Sequence, residues 1–267
     1  MSTKISWTDE TWNPVVGCTM VSAGCRNCYA MQMAYRLERM GQDKYAGLTH
    51  EVSGRHVWTG EIRLDEAALE LPLRWRKPRR VFVNSMSDLF HPGIPDEWID
   101  RIMAVMRATP QHTYQILTKR PERMVQYCQD NLSVSPLENV WWGVSAEDDR
   151  MAQKRIPHLG DIPFKARRFV SYEPALGPIR WRHQWAGFLD QIIIGAESGP
   201  QRRPFDRRWA WETRDYCVEH GIAFFYKQGP GLRSGTAPYL IDEEGRAWRW
   251  QQYPGDTASP ELVEVVA

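Results

Sequence analysis

No stretch of this 267-residue chain approaches the roughly 20 consecutive apolar residues of a membrane span, so a transmembrane helix is not expected. The N-terminus has no charged-then-apolar leader, and a secretory route is not expected either. Charge of one sign is missing: 34 Lys and Arg stand against 33 Asp and Glu, a net of +1, which excludes a global basic field as the driver of nucleic-acid binding. Basic runs remain at Arg74, Arg76, Lys77, Arg79 and Arg80 and at Arg202, Arg203, Arg207 and Arg208, and such runs are more often solvated faces than binding sites. Internal repeats beyond a strand–helix alternation are absent, as are low-complexity segments. Cysteine is scarce, with five copies; an odd number in a large chain without a leader excludes a disulfide framework and fits a reducing cytoplasm.

Three of those five cysteines sit together. Gly17-Cys18-Thr19-Met20-Val21-Ser22-Ala23-Gly24-Cys25-Arg26-Asn27-Cys28-Tyr29 has the spacing C-x6-C-x2-C. Three thiolates on one short loop can ligate three irons of a 4Fe–4S cluster and leave the fourth iron open to a small molecule. Zinc is the competing metal, because thiolates favour soft and borderline ions without naming one. A structural zinc site wants a fourth ligand, and His50, His56, Cys128 and Cys217 all lie off the usual spacing. A three-ligand catalytic zinc stays open. Cys128 and Cys217 fall among apolar residues in helical patterns and read as buried structural thiols.

Along the chain, short apolar runs of β-type residues alternate with helical stretches. Strands are expected near Trp12–Val16, Glu61–Leu64, Arg80–Val83, Tyr114–Leu117, Val140–Val144, Arg168–Val170, Gln191–Ile194 and Ala223–Tyr226. Helices are expected over Tyr29–Met40, Asp65–Trp75, Pro95–Arg107, Pro121–Asn131, Glu147–His158, Trp181–Phe188 and Asp206–His220. Nearly continuous apolar strands of this kind are buried on both faces, as in parallel sheets. The pattern predicts an α/β fold, a full or partial (β/α) barrel over residues 1–228, with a C-terminal extension over 229–267. An open doubly wound sheet is the alternative, but no Gly-rich dinucleotide loop follows the first strand. The extension suggests a small hairpin through Tyr239–Ile241 and Ala247–Trp250, turning at Asp242-Glu243-Glu244-Gly245, with a frayed last dozen residues.

In a (β/α) barrel the chemistry sits at the C-terminal ends of the strands. Reading only those tips yields the cysteine loop, then Asn84-Ser85-Met86-Ser87-Asp88-Leu89-Phe90-His91, Thr118-Lys119-Arg120, Ser145-Ala146-Glu147-Asp148, Ser171-Tyr172-Glu173-Pro174, Gly195-Ala196-Glu197-Ser198-Gly199 and Lys227-Gln228-Gly229. One polar tip is ordinary, since strands must exit into polar loops. Six of them beside a metal loop form the ring expected of a ligand pocket.

These segments resemble a phage-associated, radical-SAM-like family, with Trp12-Asn13-Pro14 before the cysteine loop and Pro121 after Arg120 as further matches. The resemblance spans residues from about 3 to 230. It implies a barrel of radical-SAM type, one 4Fe–4S cluster on Cys18, Cys25 and Cys28, and S-adenosylmethionine (SAM) as cosubstrate. The superfamily's usual motif is C-x3-C-x2-C; here the first gap is six residues, Asn27 replaces the aromatic before the last cysteine, and the Gly-Gly-Glu stretch is absent. In its place Asn84, Ser85, Ser87 and Asp88 are expected at the methionine end of SAM. Lys119 or Arg120 is expected at its carboxylate. Ser145, Ser171 and Glu173 are assigned to ribose or substrate, and Gly195, Glu197 and Ser198 to adenine or substrate. The catalytic candidates are Asp88, Lys119 and Glu173.

The resemblance further implies an external one-electron donor such as flavodoxin or ferredoxin. Phage association and the 13 tryptophans suggest a nucleobase or nucleotide substrate, free or in DNA. Two other functions compete: a zinc-dependent hydrolase on the same barrel, for which His91 is the sole tip histidine, and a metal-stapled nucleic-acid-binding module, which leaves the polar tips unexplained.

Overall fold

The computed structural model describes residues 3, 5–132, 135–257 and 259–264. Seven strands form the main sheet: β1 (Glu10–Trp12), β2 (Arg80–Val83), β3 (Thr113–Thr118), β4 (Val140–Ser145), β5 (Arg167–Tyr172), β6 (Gln191–Gly195) and β7 (Ala223–Gln228). They are ordered in the sheet as in the chain. The pairs β1/β2, β2/β3, β5/β6 and β6/β7 are parallel. The fold is therefore α/β, with a sheet compatible with a partial (β/α) barrel. The chain divides into two compact units within β4. Among the described residues, the first holds Thr3, Thr8–Trp142 and Ile162–Ala166; the second holds residues 5–7, Gly143–Asp161 and Arg167 onward. Each is described by itself.

The elements follow from burial. All five residues of β6 are buried, so its Ile192-Ile193-Ile194 run needs no polar alternation. Helix α1 covers Tyr29–Arg39, and α2 covers Asp96–Ala108. The latter buries Ile99, Ile102, Met103 and Met106, the i, i+3, i+4, i+7 stripe of a helix facing a sheet. Asp96 and Glu97 in its first turn suit the positive end of its dipole. Helices α3 (Pro121–Tyr127), α4 (Asp149–Arg155) and α5 (Arg207–His220) follow β3, β4 and β6. The side chain of Asp206 caps α5 by accepting from the amide of Arg208, and Gly221 ends it at φ +67°.

Three differences from the sequence reading have physical causes. The expected first strand is cut at Asn13-Pro14 into β1 and Val15–Val16, because proline has no N–H for a ladder. The expected strand at Glu61–Leu64 is reduced to Arg63–Leu64 and pairs antiparallel with Val15–Val16, outside the main sheet. The guanidinium of Arg63 donates to the carbonyls of Asp43, Lys44 and Ala46 and cannot enter a strand buried on both faces. An unanticipated hairpin joins Thr49–Val52 to Arg55–Trp58 through Ser53 and Gly54, both at positive φ, the geometry of a two-residue primed turn.

The expected C-terminal hairpin is present as Leu240–Ile241 with Ala247–Arg249. Glu261–Val263 adds a third antiparallel strand in the stretch expected to fray. Positions 258 and 265–267 of that stretch lie outside the described residues.

The path into the cysteine loop is sterically pinned. Gly17 has φ +93°, and a Cβ there would lie 2.1 Å from the carbonyl oxygen of Glu61. Gly17→Ala is expected to cost about 2–3 kcal/mol through backbone strain and this collision. Urea unfolding checks it; a midpoint equal to that of the wild type would refute the pinning.

Candidate functional site

In the first unit, the tip of β2 straps the chain that leads into the cysteines. Gly17 bridges to Ser87, and its amide donates to the carbonyl of Met86 at 3.2 Å. The Ser87 hydroxyl donates to the carbonyl of Val15 at 2.9 Å. The Ser85 hydroxyl and the Met86 amide both donate to Oδ1 of Asn13, at 3.1 and 3.0 Å. Asn84 sits at φ +58°, a conformation asparagine tolerates, and its Oδ1 accepts from the amide of Val15 at 3.4 Å. Its Nδ2 is buried without a hydrogen-bond partner. Thus Asn84, Ser85 and Ser87 act on the loop's foundation, and only the Asn84 amide nitrogen retains a donor to offer.

The three cysteines are partly exposed and share one electrostatic neighbourhood. Cys25 ends the short 3-10 turn Ala23–Cys25, with the Ser22 hydroxyl 3.9 Å from its sulfur. Cys28 is the N-cap of α1; its carbonyl accepts from the Met31 amide at 3.3 Å, and its sulfur makes no capping hydrogen bond. Burial raises the Cys28 thiol pKa; the backbone at Ala30 and Met31 and the charge of Lys119 oppose the rise, and Cys25 adds to it. Burial pushes Cys18 up to about 12, with Asp88 and Cys28 adding and Arg120 opposing. Cys18 and Cys28 are thus held as neutral thiols, and a metal bound there would have to displace their protons. Among the described residues, no three His, Cys, Asp or Glu side chains stand close enough together to hold a metal ion. The donor types nevertheless suit a thiolate-bound cluster: three cysteines on one loop, with a guanidinium at Cys18. Cys128 and Cys217 are buried, as expected of structural thiols.

Asp88 joins the tips of β2 and β3. Its Oδ1 accepts from the Thr118 hydroxyl at 2.7 Å and the Phe90 amide at 3.0 Å. Its Oδ2 accepts from the Lys119 amide at 3.1 Å and from Nη1 of Arg120 at 2.7 Å. Four donors occupy the acceptor sites of this carboxylate. Its position makes it the anchor of Arg120 rather than an open ligand group. Arg120 in turn reaches Sγ of Cys18 at 4.0 Å and donates to the carbonyl and hydroxyl of Thr19 at 3.2 and 2.8 Å. His91 completes the cluster: its Nδ1 accepts from the Gly93 amide at 3.0 Å, so the neutral ring donates from Nε2 to the Thr19 hydroxyl at 2.8 Å. Burial lowers the His91 pKa, with Arg120 and Arg123 adding and Asp88 opposing.

The second unit has its own polar tips. Glu173 follows β5; its Oε1 pairs with Nζ of Lys227 at 2.8 Å and its Oε2 accepts from the Ser171 hydroxyl at 3.2 Å. Gly195 makes room for it, since a Cβ there would lie 2.6 Å from Oε1 of Glu173. Glu197 is held by Arg203 through Nε at 3.0 Å, Nη2 at 2.5 Å and the backbone amide at 2.9 Å. Ser198 bridges to Gly231, and Gln228 clamps the carbonyl of Ala196 at 2.8 Å. Ser145 is buried, and its carbonyl accepts from Arg155, which is paired with Glu147.

Each unit gathers its expected tip residues. Cys18, Asp88, Lys119 and Arg120 are brought together in the first, and Ser171, Glu173 and Gly195 in the second. Thr19, His91, Lys227 and Arg203 join these clusters without having been assigned a role. His91 and Lys227 were visible as tip residues, and Arg203 belongs to a noticed basic run. Nothing in the spacing marks Thr19.

Two outcomes follow for the first unit. Asp88→Ala leaves Arg120, only 11% exposed in its side chain, without its counter-charge and is expected to cost about 3–5 kcal/mol in urea unfolding; a loss under about 1 kcal/mol would reject the anchoring role. His91 is neutral in the folded chain, so the unfolded chain binds more protons below the ordinary histidine pKa of 6.5 and stability must fall with pH there. Thermal midpoints from about pH 7.5 to 5.5 should drop, and His91→Gln should flatten the slope, leaving the part due to His112, whose pKa is also lowered, chiefly by burial. An unchanged slope would exclude His91 as its source.

No curated protein matches the chain, and neither does any solved structure. One family model matches residues 2–254, nearly the whole chain, and the chain therefore belongs to the family described as a protein of unknown function, DUF5131.

Proposed function

We propose that the chain is a radical SAM enzyme whose loop residues Cys18, Cys25 and Cys28 hold one 4Fe–4S cluster. The observation that carries this reading is the C-x6-C-x2-C loop, pinned by the tip of β2 and with the Arg120 guanidinium reaching its first sulfur. When bound, the cluster supplies an electron for reductive cleavage of SAM and so for hydrogen abstraction from a substrate. The chain's own residues bind and orient. Arg120, fixed by Asp88, is the cation suited to the SAM carboxylate, with Lys119 beside it. The buried Nδ2 of Asn84 is a donor available to the methionine end. Glu173 with Lys227 and Ser171, and Glu197 with Ser198, are the second unit's candidates for ribose, adenine or substrate, roles that rest on the resemblance and on their place at strand tips.

The proposed substrate is a nucleobase or nucleotide, free or in DNA, and the electron comes from a flavodoxin- or ferredoxin-like donor. The barrel is proposed to be of radical-SAM type, and the setting is the reducing cytoplasm that free thiols require.

Anaerobic reconstitution with iron and sulfide, dithionite reduction and EPR with and without SAM form the test. A reduced 4Fe–4S signal that shifts on SAM addition, with 5′-deoxyadenosine formed, is the expected result. Cys25→Ala should lose iron and brown colour together, whereas Arg120→Lys, which keeps a cation beside Asp88 but not the guanidinium fork, should keep both and weaken SAM binding about tenfold. A chain that takes up zinc at the loop but assembles no cluster would overturn the proposal.

A further inference from the structure

A second group of metal-ligating side chains lies in the second unit, remote in sequence from the cysteine loop. The short 3-10 helix His183–Gly187 and the C-terminal turn of α5 enclose a groove of about 490 Å³, lined by His183, Gln184, Ala186, Gly187, Glu219 and His220. Two imidazoles meet there. Nδ1 of His183 and Nε2 of His220 are 3.0 Å apart, with ring centroids at 5.0 Å and planes crossed at 67°. The His220 ring is pre-set. It stacks on Tyr216 at 4.6 Å, Tyr216 stacks on Trp181 at 5.3 Å, and the Tyr216 hydroxyl is tied to the carbonyl of Arg182 at 2.9 Å. His220 is only 10% exposed in its side chain; its other nitrogen, Nδ1, is buried without a hydrogen-bond partner and lies 3.9 Å from Oε2 of Glu219.

We propose that His183 and His220 form a binding site for a divalent transition ion of the zinc class, held by Nδ1 of His183 and Nε2 of His220. Two nitrogens on one tetrahedral zinc stand about 3.3 Å apart, given zinc–nitrogen bonds of about 2.0–2.1 Å. The pair needs to open by only a few tenths of an ångström, and exposed His183 can supply that movement. Both nitrogens are then acceptors, which places the protons on the far nitrogens. For His220 that creates an Nδ1–H with the Glu219 carboxylate 3.9 Å away, close enough for a small side-chain movement to make the outer hydrogen bond such ligands commonly have. The site also sits at the C-terminal end of the 14-residue α5, where the helix dipole favours a cation. Imidazole suits zinc, copper and nickel, and water in the groove completes the coordination shell. This inference does not rest on the cluster reading.

The test uses the full chain, stripped of metal and carrying Cys18→Ala, Cys25→Ala and Cys28→Ala, titrated with zinc and then with cobalt(II). One ion per chain is expected, and the cobalt form should show weak visible bands without a thiolate charge-transfer band. His183→Ala and His220→Gln should each weaken binding about tenfold or more, and Glu219→Gln by a smaller factor. No uptake by the triple variant, or uptake unchanged by the histidine substitutions, would overturn the site and leave the cluster assay unaffected. If the triple variant does not fold, His183→Ala alone in the otherwise native chain should hold one zinc fewer than wild type, with the His220 ring nitrogens no longer shifting on zinc addition. Equal zinc content would reject the proposal.

Discussion

The Asp88 carboxylate is the point on which the first unit's candidate site depends. Strand tips exit the sheet into loops that have no ladder to hold them, so some other interaction must fix their relative position. Asp88 ties its own loop at Phe90 to the hydroxyl of Thr118, the amide of Lys119 and the guanidinium of Arg120. Through Arg120 the tie extends to Thr19 and Cys18. One buried anion thereby sets the geometry of three successive strand ends. Its energy is asymmetric: the intact pair adds little net stability, while loss of either partner strands a charge in low dielectric.

The second unit solves the same problem with different chemistry. Glu147 is answered by Arg155, Glu173 by Lys227 and Glu197 by Arg203, each carboxylate at a strand tip taking its cation from a helix, a strand or a loop further along the chain. Such pairs make the tips look richer in ionisable groups than the number of groups free to meet a ligand. Gly195 shows how closely they are fitted, since its missing side chain is the space that the Glu173 carboxylate fills.

Much of the fold was legible because burial writes itself into the sequence. The Ile192–Ile194 run and the spacing of Ile99, Ile102, Met103 and Met106 leave little freedom over which element forms. Asp206 and Gly221 marked the ends of α5. The hairpin at Thr49–Val52 and Arg55–Trp58 was missed because its residues are half-exposed and carry little apolar alternation, although Ser53-Gly54 is a turn signal. The site was legible as a list of tips but not as a set of partnerships. Asp88 and Arg120 are separated by 31 intervening residues, and only the parallel register of β2 and β3 brings them together. No local pattern encodes that Asp88 is already saturated, or that Thr19 lies between Arg120 and His91.

The cysteine loop is clamped at both ends and tied again along its length. Gly17 holds one end against Glu61 and the tip of β2, so Cys18 leaves a fixed backbone. Cys28 starts α1, so the other end has its position set by a helix. Between Cys18 and Cys25, Thr19 is tied to Arg120 and His91, Met20 and Val21 stand roughly half-exposed, and Gly24 is buried again. Change at Met20 or Val21 therefore meets solvent, whereas change at Thr19 or Gly24 reaches into the packed structure that holds both anchors.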